Sequence, residues 1–403
     1  MITPDVAWGI VLEHARPLES IAVSLADALG YCLAEDVRAD RDLPPADRSA
    51  MDGYAARHAD LQQRPCVLSV IGEVAAGSPH RTRVKPGTCA RIFTGANVPP
   101  GADTVVMVEQ TEECAGSVTI RSSVAQGANI LRRGEDARKG VMLLPRGTRI
   151  DAGQVGVCAA VGKGTVKVHR QPSVTILCTG SELRSVNDRV RPHETRNSNG
   201  PALCAALTRW GLAGTRFLTV ADRRGTLLAA LRRALDRHDV VLLTGGVSVG
   251  NYDLVRDAIG AAGAMIRFHG LAMKPGKPTL YATAPANRHV FGLPGNPLSA
   301  LTAFHEFALP ALRRLAGHPA ETCRPSWLLP LAEGAESKAG RVRYELARLV
   351  NRESGLAVAP MPSQSSADLV SAGHADGVVV LPPDRPRFAS GELVVFRPWR
   401  LLP

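Results

Sequence analysis

The stretch Asp239–Ser299 constrains this chain most, because three of its apolar runs border segments suited to holding an anion. An apolar run enters Thr244-Gly245-Gly246-Val247-Ser248-Val249-Gly250. The chain then passes Lys274-Pro275-Gly276-Lys277-Pro278 and closes on Gly292-Leu293-Pro294-Gly295-Asn296-Pro297. Paired glycines let the backbone approach a ligand without interference from a Cβ, and Ser248 adds a hydroxyl donor. Two prolines frame Lys274 and Lys277, two of only seven lysines among 48 basic residues. Rigidly placed point charges bind an oxyanion without reorganising. Asn296 at an N-cap and Pro297 at N1 start a helix, and its first turn, with Ser299, offers unpaired N–H groups and a positive dipole end. The stretch reads as a phosphate- and oxyanion-handling site.

Asp253 lies three residues past Gly250, near the start of the next helix. A carboxylate beside an anion site of backbone amides suits Mg²⁺. Asp222, just after the strand-like Thr215–Val220, falls at the same sheet edge and completes the candidate metal pair. Taken singly, each aspartate also fits an ordinary helix cap. Thr179-Gly180-Ser181-Glu182 follows another apolar run and adds Glu182 to that edge.

The pattern around these motifs is an alternation: Val174–Cys178, helix Pro201–Trp210, Thr215–Val220, helix Thr226–Arg237, Val240–Leu243, helix Tyr252–Ala262. Three apolar segments (Met265–Phe268, Thr279–Thr283, His289–Leu293) and a helix Pro297–Ala316 follow. Such alternation predicts a doubly wound α/β sheet covered on both faces, with ligands beyond the carboxyl ends of the strands. Upstream, Pro4–His14 and Leu18–Ala34 read as helical or mixed, and Leu43–Tyr54 as a loop in which Asp52-Gly53 is a turn. Short β-branched runs at Val67–Ile71, Thr88–Phe93, Thr104–Glu109 and Ser117–Ile120 predict a small β domain. The expected division is a split N-terminal module (1–40 and 140–169), an inserted β-rich domain (41–139), the α/β domain (170–318) and a C-terminal β domain (319–403).

Other chemistries find little support. Eight dispersed cysteines form no C-x-x-C pair, so no structural zinc or redox dithiol is expected. No apolar run reaches the ~18–20 residues of a membrane span, and no secretory signal opens the chain, so the cytoplasm is the expected compartment. The net charge of +11 comes from arginines scattered through every segment rather than from a binding stripe. No nucleic-acid motif accompanies it, and a field that draws in a polyanionic small molecule accounts for it as well. No nucleophile elbow, Walker loop or dinucleotide fingerprint is present.

Jointly, Ser49–Ala55, Arg91–Gly95, Gly101–Val106, Arg133–Asp136, Thr179–Leu183, Gly245–Asp253, Lys274–Pro278 and Gly292–Pro297 resemble the MoeA family of molybdopterin molybdenumtransferases, relatives of the gephyrin E domain. The resemblance runs in order over about residues 1–318. The α/β part alone is also similar to MogA-type adenylyltransferases and CinA-like proteins, which leaves a nucleotide-processing enzyme or a non-catalytic molybdopterin-binding scaffold dimer as alternatives. The resemblance implies a homodimer whose cleft joins the inserted domain of one subunit to the α/β domain of the other. It also implies Mg²⁺-dependent insertion of molybdate into adenylyl-molybdopterin with release of AMP, next to a MogA-type adenylyltransferase and downstream cofactor-handling proteins. By position, Asp222, Ser248 and Asp253 would handle Mg²⁺ and the nucleotide phosphate. Lys274, Lys277, Pro278 and Ser299 would hold molybdate, and Asp52, Thr94, Asp136 and Glu182 would complete the cleft. Two positions depart from the family: Gly270 and Leu346 stand where relatives carry a basic residue, with His269 beside the first and Arg343 or Arg348 near the second.

Overall fold

A computed structural model describes residues 1–78, 83–212, 214–247, 254–337 and 340–400. The chain forms two compact units, one of Met1–Ala34, Gly147–Asp151 and Thr165–Pro403, the other of Glu35–Arg146 and Ala152–Gly164.

The first unit is built on a six-stranded sheet in the order Arg216–Val220, Val174–Thr179, Val240–Thr244, Arg288–Leu293, Leu280–Ala284, Met265–His269. The first four strands are parallel and Leu280–Ala284 runs against its neighbours. Alternate side chains serve opposite faces, as strand geometry requires. Ile176, Cys178 and Leu242 pack with Leu203 and Leu207 of helix Asn199–Arg209 and with Phe307 and Leu312. Leu177, Val241 and Leu243 pack with Leu227 and Leu231 of helix Arg224–Arg237 and with Val255 and Ile259 of helix Leu254–Ala261. Both faces are covered, as the alternation predicts. The helix expected over Pro297–Ala316 contains a π turn, Phe304–Ala308, between Pro297–Ala303 and Leu309–Leu315. Pro310 has no N–H for the carbonyl of Glu306 and crowds that turn, so the helix widens before it.

A second sheet of this unit runs Met273–Lys274, Val342–Arg352, Gly377–Leu381, Leu393–Pro398, Trp327–Pro330, with Gly355–Met361 paired to Val342–Arg352. The C-terminal β reading holds for its long strands but missed Trp327–Pro330 and the helix Leu369–His374, whose N-cap is Asp368. Leu18–Ala34, expected helical or mixed, contains the strand Ser20–Ser24 and only a three-residue 3₁₀ turn, Leu25–Asp27. The alternating Ile21 and Val23 favour a strand, and its partner Thr165–His169 lies far along the chain.

In the second unit the sheet order is Thr104–Met107, Gly53–Ala56, Thr88–Ile92, Cys66–Val74, Ser117–Ile120, Thr111–Cys114. The turn expected at Asp52-Gly53 is instead the entry to a central, wholly buried strand, Gly53–Ala56. Gly53 is required there, since a Cβ would stand 1.9 Å from the Val106 carbonyl oxygen. Val37–Arg38 pairs with Met142–Leu144, and Ala152–Ala160 is a helix. Among the described residues no helix is long and apolar enough to cross a membrane.

Candidate functional site

In the α/β sheet, strand register sets the site. Thr179 aligns with Val220, Cys178 with Thr244, and Thr244 with Leu293. Asp222, Thr179–Glu182, Gly245-Gly246 and Pro294-Gly295-Asn296 therefore leave the sheet along one edge. Leu280 aligns with Gly292 in the antiparallel pair, so Lys274–Pro278 approaches the same edge from the other direction. At the usual strand spacing of ~4.8 Å, the lysine loop lies roughly 10 Å along the edge from the glycine pair.

The loops touch through backbone. Gly245 takes φ +87° and Gly246 φ +65°, the left-handed region glycine tolerates. A Cβ on Gly245 would meet the Thr179 carbonyl oxygen at 2.3 Å, and a Cβ on Gly295 would stand 3.5 Å from the Gly245 Cα. The Thr179 hydroxyl is buried beside the two glycines and has no hydrogen-bond partner among the described residues. Asn199 donates from Nδ2 to the Gly295 carbonyl at 2.8 Å and holds that turn in place. Sequence reading missed both Thr179 as a site hydroxyl and Asn199. A polar residue in the first turn of the helix after a glycine-ended strand was the available signal for Asn199.

Lys274 is exposed and Lys277 half-buried. Their loop is closed by the Leu271 N–H donating to the Lys277 carbonyl (2.8 Å) and by the Thr279 N–H and hydroxyl donating to the Gly276 carbonyl (3.1 and 2.6 Å). The Lys274–Pro275 peptide bond is cis. Met273 and Lys274 also join the C-terminal sheet, in register with Val342 and Arg343. A second bridge reaches the helix that starts at Pro297. Asn296 Nδ2 donates to the Ser366 hydroxyl at 2.7 Å, and the Ser299 N–H donates to the Ser366 carbonyl at 3.2 Å. The C-terminal domain thus brings Ser366 to the first turn after Pro297. Of the departures from the family, Leu346 is buried in the core with Val378 and cannot present a polar group. Arg343 is ion-paired to Glu345, and Arg348 donates to the His374 carbonyl.

Asp222 and Glu182 are exposed at the sheet edge. Ser248 and Asp253 lie outside the described residues. Among those described, no group of three or more metal-ligating side chains is assembled.

In the second unit, Asp52 and Thr94 meet. Asp52 Oδ1 accepts both the Thr94 N–H and its hydroxyl, each at 2.7 Å. These bonds, the backbone one first, hold the exposed Asp52 carboxyl below its usual range. The Ser49 hydroxyl donates to the Met51 carbonyl and fixes the approach. Asp136 is exposed, with its N–H donating to the Leu43 carbonyl at 2.9 Å.

Family models match in three consecutive blocks: the MoeA N-terminal region (domains I and II) over residues 2–162, a probable molybdopterin binding domain over 175–314, and the MoeA C-terminal region (domain IV) over 329–399. A molybdopterin molybdenumtransferase of Staphylococcus epidermidis (strain RP62A) is 34% identical over 390 residues, 96% of this chain and 92% of that protein. One of Staphylococcus aureus (strain Mu50) is 35% identical over 388 residues, 95% and 92% of the two chains. Among solved structures, a molybdopterin biosynthesis MoeA protein of Pyrococcus horikoshii superposes over both full chains with TM-score 0.80 at 30% identity. Another from strain OT3 covers 99% of this chain and 100% of its own, with TM-score 0.84 at 27% identity.

Proposed function

The chain belongs to the MoeA family, transferases of molybdenum cofactor biosynthesis, and on that premise we propose that it places molybdate on adenylylated molybdopterin and releases AMP. The observation that supports this reading is the strand register that leads two lysines, paired glycines and a helix N-terminus to one sheet edge. A tetraoxo anion and a phosphoanhydride are what such loops bind. Lys274 and Lys277 neutralise the molybdate oxygens, Pro275 and Pro278 keep the ammonium groups from wandering, and Ser299, buried with its N–H and hydroxyl turned to the Ser366 carbonyl, backs the far side rather than donating to the anion. The Gly246 amide faces the phosphoanhydride in this reading, and the Gly245 N–H, which donates to the Leu293 carbonyl at 3.3 Å, holds the turn. Asp222 and Asp253 would hold Mg²⁺, a hard cation that takes carboxylate oxygens, and when bound it draws charge from the departing phosphate. The exposed Asp222 suits that role, and the reading uses Ser248 as a phosphate donor.

Asp52, Thr94, Asp136 and Glu182 line the substrate in this reading, with the Asp52–Thr94 pair as its acidic wall. The working form is a homodimer in the cytoplasm that receives its substrate from an adenylyltransferase. Purified protein, adenylyl-molybdopterin and Mg²⁺ should release AMP at a rate that rises with molybdate. AMP release indifferent to molybdate overturns the reading. Lys277→Ala should lower that rate about 10²-fold, the usual loss when one preorganised charge donor is removed. If the cleft is shared between subunits, mixing inactive Asp52→Ala and Lys277→Ala proteins should restore part of the activity through mixed dimers.

A further inference from the structure

The last helix carries a carboxylate that the proposed reaction does not use. Glu306, in the π turn, is fully buried. Its Oε2 accepts from an Arg324 terminal nitrogen at 3.0 Å and lies 3.2 Å from Arg397 Nε. Arg324 stands just before the C-terminal sheet and Arg397 on its strand Leu393–Pro398. A buried carboxylate holding two guanidiniums is costly to desolvate, and removing it leaves Arg397 without its carboxylate and Arg324 with only a 3.7 Å pair to the exposed Asp5. The cost is borne where two structural blocks must keep one arrangement, here the anion-facing helix and the C-terminal sheet.

Beside the carboxylate is a cavity of ≈ 10 Å³. Five residues lining it each have a buried polar atom with no hydrogen-bond partner among the described residues, Trp210 Nε1, His305 Nδ1, Glu306 Oε1, Arg324 Nε and Trp399 Nε1, and a sixth atom, Arg397 Nε, has only its ion-pair approach to Glu306 Oε2. Native interiors seldom leave such groups orphaned, and each orphan costs about 1–3 kcal/mol. The volume fits one water. Four of the atoms are N–H donors, Glu306 Oε1 is an acceptor, and His305 Nδ1, on a ring stacked against Trp399 (5.1 Å between centroids), accepts in the Nε2–H tautomer. A water can donate to Glu306 Oε1 and His305 Nδ1 and accept from two N–H groups. A halide would face the carboxylate oxygen, and a metal cation would face the arginines.

We propose that Glu306 is a positioning residue of the anion site: with one ordered water it locks Arg324 and Arg397, and so the C-terminal sheet, in the position that seats Ser366 on Asn296 and Ser299. The catalytic half of this rests on the molybdate-transfer reading, and the positional half does not. Glu306→Gln keeps the shape and removes the charge. It should raise amide hydrogen exchange across residues 363–368 and raise KM for molybdate about tenfold, while kcat stays within about twofold. Combined with Ser366→Ala its KM effect should be clearly less than additive, because the two share the Ser366 hydroxyl contact to Asn296 while the backbone contact to Ser299 survives the alanine. Additive KM effects, or unchanged exchange at 363–368, overturn the proposal. Should Glu306→Gln fail to fold, Arg397→Met, which leaves the Glu306–Arg324 pair intact, carries the same readouts. If the unmodified protein shows no molybdate-dependent turnover, the proposed function fails while the exchange measurement still decides the positioning. A high-resolution crystal structure should show one water in the cavity, and an empty cavity or a bound ion overturns that part.

Discussion

Two aspartates in this molecule make the same local bond and serve different ends. Asp239 accepts the Ser173 N–H at 2.8 Å and the Ser173 hydroxyl at 2.7 Å. Asp52 accepts the same pair of groups from Thr94, both at 2.7 Å. What separates them is burial and the second oxygen. Asp239 is only 9% exposed, and both its oxygens are taken up by a bidentate pair to Arg170 at 2.6 and 2.8 Å. It sits at the start of the Val240–Thr244 strand, the end opposite the ligand edge, where it ties down the segment before Val174–Thr179. The Asp52 carboxylate is exposed, and its Oδ2 accepts no hydrogen bond from the described residues. A carboxylate with every oxygen engaged in protein is a fastener. One held by a single oxygen keeps the other for a ligand.

The largest expected effect separates them by stability. Asp239→Ala leaves the Arg170 guanidinium short of its main partner and should cost about 3 kcal/mol, toward the lower end for breaking a buried pair because Arg170 is part-exposed. Asp52→Ala should leave the denaturant midpoint where it was. Equilibrium urea unfolding of both variants checks this, and a large loss for Asp52→Ala would break the comparison.

Acid should reveal the same asymmetry. Burial alone would raise the Asp239 carboxyl, but the bonds from Arg170 and Ser173 outweigh it and bring it from 3.8 down to about 2. A depressed carboxyl adds stability that is fully present above the unfolded value near pH 4 and is lost as pH falls through 2. The shift corresponds to about 2 kcal/mol. Asp239→Asn should remove that portion of the acid dependence between pH 4 and 2, and Asp52→Asn, whose carboxyl is also lowered but stands exposed to solvent, should remove a smaller part of it. Urea midpoints measured across the window decide it.

How much of this was legible in the sequence follows the range of the interactions. The α/β sheet was readable because each strand and helix carries its own period, and parallel order puts every glycine-ended strand at one edge. Lys274–Pro278 and Asn296-Pro297 were readable because prolines write their geometry locally. Gly53–Ala56 was not. Gly-Tyr-Ala-Ala after two prolines looks like loop, and only pairing on both sides with Thr88–Ile92 and Thr104–Met107 makes it a central strand. Ser366 escaped assignment for a similar reason: its place on Asn296 is made by tertiary packing across 70 positions. The identical Asp–Ser and Asp–Thr bonds were equally hidden, since 66 and 42 residues separate the partners.

Next in size is the effect of Asp52 on turnover. If its free oxygen meets the substrate, Asp52→Asn should slow molybdate-dependent AMP release about tenfold with no loss of folding, whereas Asp239→Asn should leave turnover per folded molecule unchanged. Steady-state rates normalised to folded protein test the pair, and equal rate losses would mean that exposure at Asp52 has no functional content.

The smallest effect lies in the hydroxyls. Ser173→Ala removes the hydroxyl's bond to the Asp239 carboxylate and its acceptance of the Asp239 N–H, and should cost about 1.5 kcal/mol, the lower end for a hydrogen bond to a charged group. Thr94→Val removes the matching bond from Asp52, where water replaces it, so folding should not change. The remaining Thr94 N–H still favours the ionised form, and the Asp52 carboxyl should move upward without reaching neutrality at pH 7. Carbon-detected NMR titration of the side-chain carboxyl would show that movement. Turnover at pH 7 should then fall far less than in Asp52→Asn, because the charge persists and only its aim is loosened. A Thr94→Val loss as large as that of Asp52→Asn would instead place the threonine hydroxyl itself on the substrate.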